Sequence, residues 1–237
     1  FTLWSPTADE VRLMLYDAGD GGHAYETVAM SPAENGTWTA KVEQDLKGKF
    51  YTFNVKIDGK WLGDTPGINA HAVGVNGKRA AIIDMRETDP EGWEEDQRPP
   101  LASPADVIIY EVHHRDFSVD PSSGIKNKGK FLAMTETGTV SPDKLATGID
   151  HLKELGVTHV HILPSDDYAS VDETKLDENK YNWGYDPQNY NVPDGSYSTD
   201  PYKPDVRIRE FKQMVQALHK AGIRVVLDLS LIHISEP

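Results

Sequence analysis

The stretch of this sequence richest in potential chemistry is Tyr181 to Pro187, YNWGYDP, with Tyr190 just beyond it. Tyr181, Tyr185, Tyr190 and Trp183 supply flat apolar plates, and Asn182 and Asp186 set directional hydrogen-bonding groups among them. A polyhydroxylated ring asks for that combination, because a sugar presents C–H faces that stack and hydroxyls that must be bonded. The same residues would also suit a compact surface loop packed on its own aromatics. Residue types alone leave both readings open. Trp4, Trp38 and Trp61 are further stacking surfaces. Trp38 alternates with Ala40 and Val42 and is expected in a core, whereas Trp61 follows a turn dipeptide and fits a structural or an exposed role equally.

Other constellations point to chemistry less well. His159 and His161 share one face of a strand, and His113 and His114 add two rings. No third ligand stands at a fixed spacing, so they are expected at strand ends and in layers, bonded to neighbours and not to a metal. Gly124 to Lys130 (GIKNKGK) imitates a phosphate loop, but Phe131 stands where a magnesium-binding hydroxyl is required, and the helix comes too late. A solvated basic loop is expected there. Asp166, Asp167, Asp172, Glu173, Asp177 and Glu178 lack the regular spacing and turn glycine of a calcium loop and are expected to be solvated.

The elements that would carry these residues change character along the chain. From Phe1 to about Arg86 the apolar period is two, punctuated by Asn35-Gly36, Asp58-Gly59 and Asn76-Gly77, dipeptides that tolerate the positive φ of tight hairpins. This predicts an antiparallel β-sandwich over 1–86. Residues 87–104 hold four prolines and a cluster of acids, which predicts a linker. Beyond it, strands at 107–112, 157–163 and 223–227 alternate with two helices. One is opened by Ser141-Pro142 with a stripe of Leu145, Ile149, Leu152 and Leu155; the other starts at Asp205 with Ile208, Phe211, Val215 and Leu218. Such a β-α-β-α-β run implies a parallel sheet, either open or part of a (β/α)8 barrel. The long stretch 165–204, placed after a strand's C-terminal end, favours the barrel, whose sites are built there.

Composition removes whole classes. The chain has 237 residues, 24 Lys+Arg against 38 Asp+Glu, a formal charge of −14 and no Cys. Disulfide scaffolds, thiolate zinc sites and thiol nucleophiles are excluded. Nucleic acid and acidic membranes are not expected partners, since the surface field repels phosphate. With 10 Tyr, 6 Phe and 5 Trp the chain has the bulk to form a core. No apolar run approaches the roughly 20 residues of a membrane-spanning helix. The first residue is Phe, so the sequence is expected to be a processed or partial product, and its compartment is not legible.

YNWGYDP resembles the signature of the type I pullulanases, debranching members of the α-amylase superfamily in glycoside hydrolase family thirteen. AVGVNGKRA (72–80), VIIYEVHHRDFS (107–118), LKELGVTHVHILP (152–164), PDGSYSTDPY (193–202) and RIREFKQMVQALHKAGIRVVLD (207–228) resemble the same family in the same order. The opening FTLWSPTADEVRLMLY is similar to the start of the starch-binding sandwich, carbohydrate-binding module family forty-eight, that precedes the barrel in these enzymes. The resemblance implies a multidomain fold. An immunoglobulin-like β-sandwich over 1–86 and the linker 87–104 precede the first three strands and two helices of an incomplete (β/α)8 TIM barrel over 105–228.

It also implies hydrolysis of α-1,6-glucosidic branches in pullulan, starch or glycogen by a retaining mechanism in the complete enzyme. Tyr185 would be the sugar-stacking platform, Asp186 would contact hydroxyls, and Asn182 and Trp183 would shape the wall. Asp228 would order the site from the end of the third strand. The family's catalytic carboxylates come from later strands, so this chain is expected to hold none of them and to be inactive. A non-catalytic α-glucan-binding module is the alternative. No metal and no cofactor is expected, and the partner is an α-glucan. Residues 229–237 depart from the family pattern and read as a foreign tail, in which His233 falls at the offset of a family histidine without support from the residues between.

Overall fold

A computed structural model of the chain describes residues 1–229. The tail 230–237, His233 included, lies outside the described residues. The first third is antiparallel throughout. Strands β1 (Thr2–Trp4), β4 (Ser31–Pro32) and β5 (Thr37–Thr39) form one sheet in the order β1-β5-β4. The other sheet joins β2 (Glu10–Tyr16), β3 (Glu26–Ala29), β6 (Phe50–Ile57) and β7 (Lys60–Trp61) in the order β3-β2-β6-β7, with β8 (Ala80–Ala81) also pairing with β6. The register sets Val11, Leu13 and Leu15 opposite Val55, Phe53 and Tyr51, so one face of β2 and β6 is apolar. Leu3 and Trp38 from the first sheet pack on it, with Ala40, Val42 and Ile57. Trp61 lies under the Arg12 guanidinium, 3.9 Å from its ring centre, as a stacked surface residue. All three turn dipeptides take positive φ at both residues, as their types require.

The second half holds three parallel strands, β9 (Ile109–Val112), β10 (His159–Ile162) and β13 (Arg224–Leu227), neighbours in chain order with β10 in the centre. Val112, Val160, Ile162 and Val225 meet the helices α1 (Gly148–Leu155) and α2 (Pro204–Lys220) in one core that includes Phe131, Met134, Met214 and Leu218. The other face of the sheet, with Ile109, Glu111, His161 and Val226 in register, is partly or fully exposed.

Several expectations need correction. The first helix begins at Gly148, not at Ser141, because Ser141 to Lys144 closes a turn in which Lys144 has a φ of 64°. Leu145 is therefore not part of the helical stripe and is 67% exposed, and Leu155 also faces out. The stretch 165–204 is not a bare loop: β11 (Asp166–Tyr168) and β12 (Pro187–Pro193) pair antiparallel within it. GIKNKGK is not simply solvated. Lys128 Nζ is turned inward to the carbonyls of Ser118 and Asp120 and the Ser123 hydroxyl, and Ile125 is buried.

The segment 87–104 carries no strand and is fastened along α2. Lys212 Nζ donates to Thr88 Oγ1 at 2.7 Å, Gln216 Nε2 to the Glu91 carbonyl at 3.1 Å, and Asp96 sits 2.6 Å from His219 Nδ1. Arg224 Nε reaches the Pro99 carbonyl at 2.8 Å. Among the described residues no helix is long and apolar enough to cross a membrane.

Candidate functional site

The C-terminal ends of β9 and β13 hydrogen-bond to the segment that carries YNWGYDP, and that of β10 bonds to the residue after His113. After β9, His113 Nε2 lies 2.9 Å from the carbonyl oxygen of Asn182. That acceptor requires an N–H on Nε2, and Nδ1 accepts from the Arg115 N–H at 3.2 Å, which fixes a neutral imidazole. Burial lowers the His113 pKa and favours the same form. After β10, Ser165 Oγ stands 2.8 Å from His114 Nε2; His114 is wholly enclosed, and burial pushes its pKa down to about 3. After β13, Asp228 accepts a hydrogen bond from the Tyr185 hydroxyl. Burial first, then the neighbouring Asp228 carboxylate, raises the Tyr185 phenol to about 12, so it stays a donor.

Within the loop, Asn182 is the hub. Its Oδ1 accepts from the Gly184 N–H at 2.7 Å and its Nδ2 donates to Asp186 Oδ1 at 2.8 Å. The other Asp186 oxygen accepts from the Ser170 hydroxyl. Gly184 takes a φ of 93° against the Pro164 carbonyl, where a side chain would collide. Tyr185 and Asp186 are half-buried, while Trp183 is 60% and Tyr181 41% exposed, their rings edge to face at 6.2 Å. Two hydrogen-bonded pairs, Asn182–Asp186 and Tyr185–Asp228, thus stand side by side in sequence as a cradle, with Trp183 exposed beside them.

Beneath the cradle the acidic residues depart from expectation. Asp167 and Glu173 are buried, not solvated, and meet buried Asp194 with oxygens within 4.8 Å of one another. The cation among them is Arg207 of α2, itself fully buried, 3.2 Å from Asp167 and 3.0 Å from Glu173. Two of the three carboxylates pair with the guanidinium and Asp194 does not, and burial drives the carboxyls of Asp167 and Asp194 upward. Arg207 lies outside the apolar stripe of Ile208, Phe211, Val215 and Leu218 on this helix. Its spacing to Phe211, Met214 and Leu218 was the available signal, since a cation at that phase of a core-facing stripe needs a buried partner.

The four histidines do not converge. His159 bonds Thr158 Oγ1 at 2.8 Å, and His161 Nδ1 lies 3.6 Å from Glu111.

Known proteins give this geometry a context. Residues 1–73 match the family model of carbohydrate-binding module 48, the isoamylase N-terminal domain. The pullulanase of Bacillus subtilis is 39% identical over 99% of this chain, which corresponds to 31% of that protein. The pullulanase of Paenibacillus barengoltzii, solved with maltohexaose and α-cyclodextrin, superposes with a TM-score of 0.94 at 54% identity, over 97% of this chain and 35% of its own. That of Bacillus acidopullulyticus gives a TM-score of 0.91 at 45% identity, over 97% and 28%. The chain spans less than a third of the length of the curated relatives it matches, 31% for Bacillus subtilis and 27% for the chloroplastic pullulanase of Arabidopsis thaliana. With a carbohydrate-binding module 48 domain at its start, the chain is homologous in sequence and structure to the type I pullulanases.

Proposed function

We propose that the cradle of Asn182, Trp183, Tyr185, Asp186 and Asp228 is an α-glucan subsite, and that it serves hydrolysis of α-1,6-glucosidic branches in a protein longer than this chain. The observation that carries the reading is the Tyr185–Asp228 hydrogen bond, which ties an aromatic plate from the long loop to the C-terminal end of a parallel strand. In that position Tyr185 stacks on a glucosyl ring, Asp186 and Asn182 bond its hydroxyls, and Trp183 covers an edge. Asp228 holds Tyr185 in place and has no bond-breaking part. The three parallel strands, adjacent in chain order, are read as the opening of a (β/α)8 barrel, and the two leading sheets as an immunoglobulin-like sandwich over 1–86. Segments 87–104 and 105–228 follow as linker and partial barrel. Relatives solved with maltooligosaccharides support the substrate class.

Retaining hydrolysis needs two carboxyl groups about 5 Å apart, one as nucleophile and one as acid/base. Asp186 and Asp228 are each already engaged by neighbours in the cradle. On this reading neither serves as nucleophile or acid/base, and the 237-residue chain binds α-glucan without cutting it. Incubation of the purified chain with pullulan, followed by a reducing-end assay, is expected to show no release above a mock purification. Turnover abolished by Asp186→Ala would overturn this. Calorimetry with maltotetraose tests the binding: heat of binding in the wild type, lost in Tyr185→Ala, is expected.

A further inference from the structure

Both stems of the loop that carries the cradle are gripped by one residue of the leading module. Asn76 stands at the tip of the hairpin 74–79 with a φ of 61°. Its backbone N–H donates to Glu173 Oε2 at 2.7 Å, its Oδ1 accepts from the Glu173 N–H at 2.7 Å, and its Nδ2 donates to Asp172 Oδ1 at 3.0 Å. On the opposite stem, Gln188 Nε2 donates to the Asn76 carbonyl at 2.9 Å, and Asn189 Nδ2 to the Gly77 carbonyl at 3.0 Å. Asp172 and Glu173 come before YNWGYDP; Gln188 and Asn189 come immediately after it.

The grip is rigid on both sides. Glu173 is buried and held from behind by Arg207 at 3.0 Å and the Gly195 N–H at 2.7 Å. Gly77 has a φ of 66°, and a side chain there would collide with Gln188 and Asp167. The ladder between β11 and β12, the loop's own closure, shifts register at each step and holds it weakly.

We propose that Asn76 is a positioning residue: the hairpin tip of the leading module clamps the two stems of the 174–187 loop and so sets where Tyr185 and Asp186 stand. The clamp rests on the α-glucan reading for its purpose but not for its existence. Closing both stems removes conformations in which the aromatic plate leaves Asp228.

Amide hydrogen exchange on the full 237-residue chain without saccharide tests it. Asn76→Ala removes the side-chain half of the clamp, and amides of 174–187 should exchange about tenfold faster while those of β2 and β6 keep their wild-type rates. Unchanged exchange over 174–187, or the same acceleration in β2 and β6, would overturn the proposal. If Asn76→Ala fails to fold, Gln188→Ala removes two bonds between the hairpin and the opposite stem, to the Asn76 carbonyl and from Lys78 Nζ; faster exchange confined to the loop supports the clamp, and none refutes it. Maltotetraose calorimetry separates the two ideas. Weaker binding in Asn76→Ala joins the clamp to the subsite, whereas a wild type that does not bind sinks the α-glucan reading and leaves the exchange result to decide the clamp.

Discussion

Asp186 accepts from the Asn182 amide at 2.8 Å and from the Ser170 hydroxyl, so one carboxylate fixes two neighbours and keeps its own direction. Hydrogen bonds to a charged group contribute roughly 1.5 to 3 kcal/mol each. Asp186→Ala is expected to weaken maltotetraose binding by about tenfold or more, read by calorimetry, and undiminished affinity would remove Asp186 from the subsite. Asp166 has a different role. Burial raises its carboxyl from 3.8 to about 6. Between those values the folded chain holds a proton that the unfolded chain has released, so this residue's contribution to stability is present below about pH 4 and is lost as pH rises through 6. Asp166→Asn should raise the melting temperature at pH 7 and flatten its pH dependence between 4 and 6; an unchanged profile would contradict the burial argument.

At the level of elements, α2 does more than cover the sheet. Arg207 reaches from it into the carboxylates of Asp167 and Glu173, and Lys212, Gln216 and His219 fasten the segment 87–104 along its outer side. Arg207→Met leaves buried acids without their cation and is expected to cost about 3 to 5 kcal/mol in urea denaturation. A loss below about 1 kcal/mol would mean that the acids simply take up protons.

These elements were legible in the sequence to different degrees. The period-two pattern and the Asn-Gly and Asp-Gly turns marked the leading sheets, because turn chemistry and alternation are local. The start of α1 was misplaced, because Ser141-Pro142 imitates a cap and nothing local announces the left-handed Lys144. Residue types in YNWGYDP leave a sugar subsite and a self-packed loop equally open, and the roles given to Asn182, Trp183, Tyr185, Asp186 and Asp228 rest on the family resemblance. The roles of Asn76, Glu173 and Arg207 are not legible there, since they depend on contacts between segments up to 112 residues apart.

For the whole molecule, the parallel sheet has one finished face and one open one. Ile109 is 58% and Val226 38% exposed, and β9 and β13 each have one side without a strand partner among the described residues. Open edges with apolar neighbours template association, and the formal charge of −14 opposes it through repulsion that salt screens. Light scattering should therefore report self-association that increases with protein concentration and with salt. Val226→Lys, which places a charge on the open face, should reduce it; equal scattering by the variant would place the contact elsewhere.

The fastening of 87–104 along α2 also decides where a chimera can be cut. Lys212 binds the Met85 carbonyl and Thr88, and Arg224 binds Pro99, so this stretch travels physically with the second half although it reads as spacer. Grafting a foreign leading module at residue 104 would strip α2 of its strap, whereas a seam at Ile83–Asp84 keeps the strap with its helix. The incoming module would then need a hairpin that offers asparagine and glycine at its tip, a cation for Gln188 where Lys78 stands and a carbonyl for Asn191 where Ile68 stands.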